Sequence, residues 1–560
     1  MPTTHRERVR KLHQLSPFQL KDQLIQLAKD SSQHKARTTK MLNAGRGNPN
    51  WVATTPREAY FLLGEFALEE SRRVWNEPGL GGMPEPDGCA ARLREFLDRR
   101  HGHGGADLLA AALDYGVGEL GFEADAMVHE LTDSIIGDNY PEPDRMLVHT
   151  EQIVHRYLMR EMCDDRPPPG RFDLFATEGG TAAMCYVFQS LIANRLLHKG
   201  DTIALGTPIF TPYLEIPRLN DFNLETIEVS QSEMAGGFHV WQYPDSEIDK
   251  LADPKIKAFF LVNPSNPASF AMRQSSIDRL VDLVKTKRRD LIILTDDVYG
   301  TFVPHYRSLA ADLPQNTILV YSYSKYFGCT GWRLGVIALH EDNVLDGMIA
   351  ALPAKDKKQL AGRYGSLTLE PGKLKLIDRM VADSRAVALN HTAGLSLPQQ
   401  VQMALFSLFA LLDTEDRYKL RTRDIIHNRF RRLESGLGLK FPDEPLRAGY
   451  YVDVDLGAWG QSVIGPEFTE YLRKHHDPLE IVLGLARRYG TVLLNGSGFE
   501  GPPWSARVSL ANLDTPEYST IGQHLREIAE AAVAAWKQAE PAKGNGHGNG
   551  NGNGKRSRRK

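Results

Sequence analysis

The sequence predicts an α/β protein with a large, mostly parallel sheet domain and a smaller α+β domain, and two observations carry that prediction. Three short apolar runs each end in a polar cluster. Ala258-Phe259-Phe260-Leu261-Val262 runs into Asn263-Pro264-Ser265-Asn266-Pro267, Leu291-Ile292-Ile293-Leu294-Thr295 into Asp296-Asp297-Val298-Tyr299-Gly300, and Thr317-Ile318-Leu319-Val320-Tyr321 into Ser322-Tyr323-Ser324-Lys325. Apolar runs of this length without alternation suit strands covered on both faces, as in parallel sheets. The carboxyl ends of such strands line up along the edge where open α/β sheets place their ligands. The second observation is helical periodicity between the strand-like runs: Ala183, Val187 and Leu191 repeat on one face ahead of the glycine stop Lys199-Gly200-Asp201 and the strand-like Thr202-Ile203-Ala204-Leu205.

At 560 residues and 42% hydrophobic content the chain can bury more than one core, which suits two domains with appendages. A net charge of -3 gives no general attraction to nucleic acid or membrane. Cys89, Cys163, Cys185 and Cys329 form no C-x-x-C pair and no dense framework, which favours a reducing, cytoplasmic compartment. Residues 1–50 lack the apolar core of a secretory signal, and no run is long and apolar enough to span a bilayer.

From the start of the chain, Ser16 reads as the N-cap of a helix with Pro17 at its first position and Leu20, Leu24, Leu27 and Ala28 on one face, leaving Lys21 near the edge of that face. The turn Gly45-Arg46-Gly47 lets the backbone approach a ligand while the guanidinium points at it; on structure alone it is a turn with a solvated arginine. Residues 77–125 read as a partly helical insertion carrying Arg99-Arg100-His101-Gly102-His103, whose histidines suit a solvated loop better than a metal site, and ending in the glycine-punctuated stretch 115–121. Glu178-Gly179-Gly180-Thr181 is a glycine turn at a helix N-terminus, which offers free N–H groups and the positive dipole end to a phosphate. Residues 541–560 are a Gly/Asn repeat with a basic end, too poor in apolar surface to fold.

Lys325 leaves the end of an apolar strand with Ser322 and Ser324 as hydroxyl donors, and Arg333 supplies a planar cation able to grip an anion bidentately. Alone, this could be an exposed lysine with a surface ion pair, N-P-x-N-P could be a rigid turn, and D-x-x-Y could be a solvated one. Their succession after three apolar strands is harder to explain that way. In this order the motifs resemble the pyridoxal phosphate enzymes of the aspartate aminotransferase superfamily, of fold type I. In finer detail, at residues 16–22, 43–50, 178–184, 295–302, 322–335 and 382–412, the chain closely resembles the aspartate 4-decarboxylase (aspartate β-decarboxylase) family; it departs mainly at 99–118 and in the tail.

The resemblance implies pyridoxal 5'-phosphate as cofactor, held by Gly179, Gly180, Thr181, Phe210, Asn266, Asp296, Tyr299, Ser322, Lys325 and Arg333, with Tyr140 reaching the phosphate of a neighbouring subunit. Phe210 would stack on the pyridine ring, Asp296 would face its nitrogen, and Asn266 and Tyr299 would bond its 3-oxygen. Lys325 would form the Schiff base with the cofactor and then act as base for the Cα proton. For the substrate it implies Arg507 and Asn266 at the α-carboxylate, Arg46 and Lys21 at the distal carboxylate, and Gly121 through its backbone.

It further implies β-decarboxylation of L-aspartate to L-alanine and CO2 with aspartate transamination on the side, 2-oxo acids as reactivators, and a large homo-oligomer built from dimers, as large as a dodecamer. It implies no metal, nucleic acid or membrane partner. The corresponding domains are an N-terminal arm with a substrate loop at 1–50, part of the small domain with the insertion at 51–135, the cofactor-binding large domain at 136–385, the C-terminal small domain at 386–540 and a disordered tail at 541–560. Two alternatives stay open: an aspartate or other class I aminotransferase without significant decarboxylation, and a non-catalytic relative that only binds the cofactor.

Overall fold

A computed structural model describes residues 11–12, 15, 17–34, 40–388 and 394–539. Ser16, residues 389–393 of the 382–412 stretch, and the tail at 541–560 lie outside the described residues.

A seven-stranded sheet organises the molecule. In chain order its strands are β1 (Phe172–Thr177), β2 (Thr202–Thr207), β3 (Glu225–Ser230), β4 (Ile256–Val262), β5 (Ile292–Asp296), β6 (Thr317–Ser322) and β7 (Gly335–His340), in spatial order β1-β7-β6-β5-β4-β2-β3. Neighbours from β6 across to β3 are parallel, and β7 runs antiparallel to both β6 and β1. The three apolar runs read from the sequence are β4, β5 and β6, adjacent and buried on both faces. β1, β3 and β7 were not read from the sequence, although the continuous apolar GVIALH of β7 carries the same signal. Helices Gly180–Ala193 and Leu376–Ala388 pack on one another beside β1.

A second, antiparallel sheet joins β8 (Tyr451–Asp455), β9 (Leu494–Asn495) and β10 (Ser505–Ser509) in the order β8-β10-β9. Around it Arg417–Leu437 packs along Glu517–Ala539, and Pro17–His34 lies on Glu480–Tyr489 with Leu20, Leu24 and Ala28 buried. The N-terminal chain enters this unit as Leu42–Asn43 pairs in parallel with Thr491–Val492.

Helices Thr55–Val74, Cys89–Asp98, Gly104–Gly118 and Ala124–Ile136 share an apolar core with Val148–Cys163 and Leu397–Leu412, through Leu63, Phe96, Leu113, Leu131, Ile153 and Leu405. The glycine-punctuated stretch is helical as far as Gly118. Gly116 is there for packing, since a Cβ at that position would overlap Met127. His101 is exposed and lies 3.4 Å from Asp107. Among the described residues no cluster of His, Cys, Asp or Glu is placed to hold a metal ion, and no helix is long and apolar enough to cross a membrane.

Candidate active site

Register brings the polar clusters together. Asp296 at the end of β5 pairs with Val262 on one side and Val320 on the other, so Asn266, Asp296 and Lys325 follow neighbouring strand ends along one sheet edge. Ser322, Gly335 and Thr177 form one row across β6, β7 and β1, which sets the turn at Gly179 beside Ser322. Two glycines make that approach possible: a Cβ on Gly335 would lie 2.6 Å from the Gly179 backbone, and one on Gly179, at φ +92°, would overlap the Arg333 guanidinium.

The result is a cavity of about 190 Å3. Gly180, Thr181, Phe210, Asn266, Asp296, Tyr299, Ser322, Lys325, Arg333 and Arg507, all picked out from the sequence, line it. The other sequence candidates do not. Tyr140 is 71% exposed, Gly121 is exposed at the turn between two helices, and Lys21 is half-buried on its helix, 3.7 Å from Asp22. Arg46 is exposed and makes no ion pair among the described residues, although its turn touches the site on both sides. The Gly45 carbonyl accepts from Arg507 at 2.9 Å, and the Gly47 carbonyl accepts from Lys325 Nζ at 3.3 Å and from the Tyr450 hydroxyl at 2.8 Å.

Sequence reasoning missed two tyrosines. The Tyr213 hydroxyl donates to Asp296 Oδ2 at 2.6 Å, and the Val298 N–H donates to Oδ1 at 3.2 Å. The Tyr299 hydroxyl donates to the Tyr451 hydroxyl at 3.2 Å. Tyr213 stands three residues after Phe210 in the helix Thr211–Glu215, a spacing that puts both on one side. Tyr451 opens β8, and nothing in its local sequence sets it apart from a core tyrosine.

The charges of this cavity are mismatched in an informative way. Asp296 is a buried acid with no cation within ion-pair distance among the described residues, and burial pushes its carboxyl up while the Tyr213 and Val298 hydrogen bonds and the Lys325 charge pull it down. Burial and Asp296 push the Tyr213 phenol well up, so it stays a donor. Among the described residues Lys325 bonds only a neutral carbonyl, and Arg333 only the carbonyls of Glu178 and Thr330. Arg507, 2% exposed, holds Asn266 Oδ1 at 3.1 Å and the Gly45 carbonyl, lies over the Tyr451 and Phe499 rings, and leaves its Nε unpartnered. Burying unpaired charges is costly. This site therefore suits a ligand with a cationic end for Asp296, an anionic end for Arg333, Ser322, Ser324 and the N-terminus of Gly180–Ala193, and a carboxylate for Arg507.

Fold and sequence agree on the class. Residues 178–525 match the family described as aminotransferase class I and II, and the chain belongs to that family. Solved structures show the same fold: aspartate aminotransferase from Rhizobium meliloti, at TM-score 0.56 and 14% identity, covers 90% of this chain and 96% of its own. N-succinyldiaminopimelate aminotransferase from Mycobacterium tuberculosis, at TM-score 0.54 and 16% identity, covers 91% and 97%. Within the family the chain is 47% identical, over 94% of its length and 98% of the relative's, to a Pseudomonas protein named bifunctional aspartate aminotransferase and L-aspartate beta-decarboxylase.

Proposed function

We propose that this protein is a pyridoxal 5'-phosphate enzyme that removes the β-carboxylate of L-aspartate to give L-alanine and CO2, and transaminates aspartate on the side. The observation that supports this best is the gathering of Asp296, Lys325, Arg333 and Arg507, each without an ion-pair partner among the described residues, around one cavity. The Pseudomonas relative's name supplies the reaction class. On this reading residues 136–385 form most of the cofactor-binding domain, with residues 386–540 and the N-terminal arm closing over it.

The residues fit pyridoxal phosphate: a buried carboxylate for a protonated ring nitrogen, Phe210 beside the ring position, Asn266 and Tyr299 for the 3-oxygen, and Arg333, Ser322, Thr181, Gly179 and Gly180 for the phosphate. When bound, the cofactor supplies an electron sink for the pair released when a bond to the substrate breaks. Asp296 keeps that sink protonated, and Tyr213 keeps Asp296 in place. Arg507 grips the α-carboxylate bidentately, with Asn266 beside it. Lys325 removes the Cα proton and is the group placed to return one. The Cβ–CO2 bond then breaks, its electron pair stays with Cβ, and a proton takes the place of CO2. Tyr140, exposed on this chain, would serve the phosphate site of a neighbouring protomer in a homo-oligomer built from dimers, and Gly121 would approach substrate only through such a neighbour.

The test is incubation of the purified holoenzyme with L-aspartate, following CO2, alanine and oxaloacetate. Alanine and CO2 in equal amounts are expected, with slow loss of activity that a 2-oxo acid reverses. Oxaloacetate without CO2 would leave a plain aminotransferase, and β-alanine as main product would mean loss of the α-carboxylate instead.

Arg46, helped by Lys21, is assigned to the β-carboxylate, because aspartate differs from alanine by that charge and the Gly45-Arg46-Gly47 turn already touches Arg507 and Lys325. The contact must be loose, since a grip stronger on bound aspartate than on the departing CO2 would raise the barrier. Losing one charged hydrogen bond costs about 1.5–3 kcal/mol, so Arg46→Ala is expected to lower kcat/KM for aspartate roughly 10- to 150-fold. The half-reaction with alanine should hardly change; equal slowing of both amino acids in single-turnover spectra would remove Arg46 from this role.

Gly47→Ala should also be damaging. The new methyl would lie 2.5 Å from the Tyr451 hydroxyl and 3.4 Å from Lys325 Nζ. Lys325 stays in ordinary contact, so Tyr451, which lines the cavity and accepts from Tyr299, is the group that must move; displacing it by part of an ångström should lower kcat roughly 10- to 100-fold with little change in thermal midpoint. Wild-type kinetics would show that the turn yields freely.

A further inference from the structure

The sheet that carries Arg507 also carries an acid that the reaction above does not use. In the antiparallel pairing of β8 with β10, Tyr451 faces Ser509, Asp453 faces Arg507 and Asp455 faces Ser505. Alternate residues share a face. Since Tyr451 and Arg507 line the cavity, Asp453, Asp455 and Ser505 continue the same face away from it. Directly opposed side chains in such a pair have Cβ atoms about 4.5–5.5 Å apart.

Asp453 is buried, and the Ser505 hydroxyl donates to its Oδ2 at 2.8 Å. Its Oδ1 is buried with no hydrogen-bond partner, and so is Arg507 Nε across the pair, yet no ion pair within 4 Å joins them. The other charged groups nearby are engaged elsewhere. Asp455 accepts from the Gly457 and Ala458 N–H groups and lies 2.9 Å from His239 Nε2; His239 stacks on Trp241. Arg447, in the small cavity on this side, sits over the Phe270 and Phe430 rings.

We propose that Asp453 is a positioning residue for Arg507: ionised, it is the counter-charge that orients the guanidinium in the absence of substrate, and it takes up a proton when a substrate carboxylate arrives. This rests on the reading that Arg507 binds the α-carboxylate. The physical reason is that, among the described residues, the buried guanidinium otherwise meets only neutral acceptors, while two carboxylates flanking it repel each other in a medium of low polarity. Burial pushes the Asp453 carboxyl up to about 7, with Asp455 adding to the push and Ser505, His239 and Arg507 opposing it, so the proton is available at neutral pH. Dicarboxylate binding is then favoured below that pH and weakened above it.

The test uses holoenzyme and succinate, which has both carboxylates of aspartate and no amine, with affinity measured by calorimetry at pH 6 and pH 8.5. Asp453→Asn mimics the protonated acid. Its affinity should match wild type at pH 6 and exceed it roughly 10-fold at pH 8.5, one unit of coupled pKa being a factor of ten. Titrations shared by wild type and variant cancel in this ratio. Ser505→Ala keeps the acid but removes the hydrogen bond that favours its ionised form, so the fall in affinity should move to higher pH; this variant decides the matter if Asp453→Asn does not fold. A ratio that is the same at both pH values, no shift in Ser505→Ala, or loss of the step in His239→Gln with its retention in Asp453→Asn would overturn the inference alone. No succinate binding to wild type at any pH would overturn the placement of Arg507 and the inference with it.

Discussion

Lys325→Ala is expected to lose turnover with L-aspartate altogether. Lys325 is the amine that lines the cavity, and its Nζ is held on the Gly47 carbonyl at 3.3 Å rather than neutralised by an acid. On the proposed function, removing it takes away both the group that would attach the cofactor and the base at Cα. The wild-type protein should show the visible absorption of a protonated Schiff base and lose it on borohydride treatment with the cofactor fixed to the chain. The variant should bind pyridoxal phosphate without covalent trapping unless an amine is added. Turnover at the wild-type rate would end the assignment of Lys325 and with it the proposed chemistry.

Asp296→Asn should be the next most damaging change. The substitution keeps the shape and removes the charge, and its single amide oxygen can accept from only one of Tyr213 and Val298. Breaking a buried charge pair costs about 3–5 kcal/mol, which in the transition state is a fall of roughly 10²- to 5 × 10³-fold in kcat/KM. Cofactor affinity should fall as well, because the ring nitrogen would lose its proton. A cofactor analogue with a permanently methylated ring nitrogen should recover part of the rate in the variant; full wild-type activity without it would show that Asp296 does not face the ring.

Much of this molecule can be read directly along the chain. A strand buried on both faces is a continuous apolar run whatever surrounds it, so β4, β5 and β6 and the polar residues at their ends were visible, and with them Asn266, Asp296, Tyr299 and Lys325. Arg507 and the Gly179 turn were visible through family resemblance, their spacing alone being ordinary. What the sequence could not supply was contact between distant segments. Tyr213 meets Asp296, Tyr451 meets Tyr299 and Gly47 meets Lys325 only because separate strand ends and the N-terminal chain converge on one edge. The helical segment at 55–136 is similar: residues 77–125 read as a partly helical insertion, but only packing showed that the segment covers Leu397–Leu412 and Val148–Cys163. The sequence by itself determined the sheet's central strands β4, β5 and β6 and the chemical identity of the residues at their ends, because hydrophobic period and residue type are local properties. Tertiary structure alone decided which charges go unpaired in the cavity and which acid stands across from Arg507, because burial and pairing depend on residues tens to hundreds of positions apart.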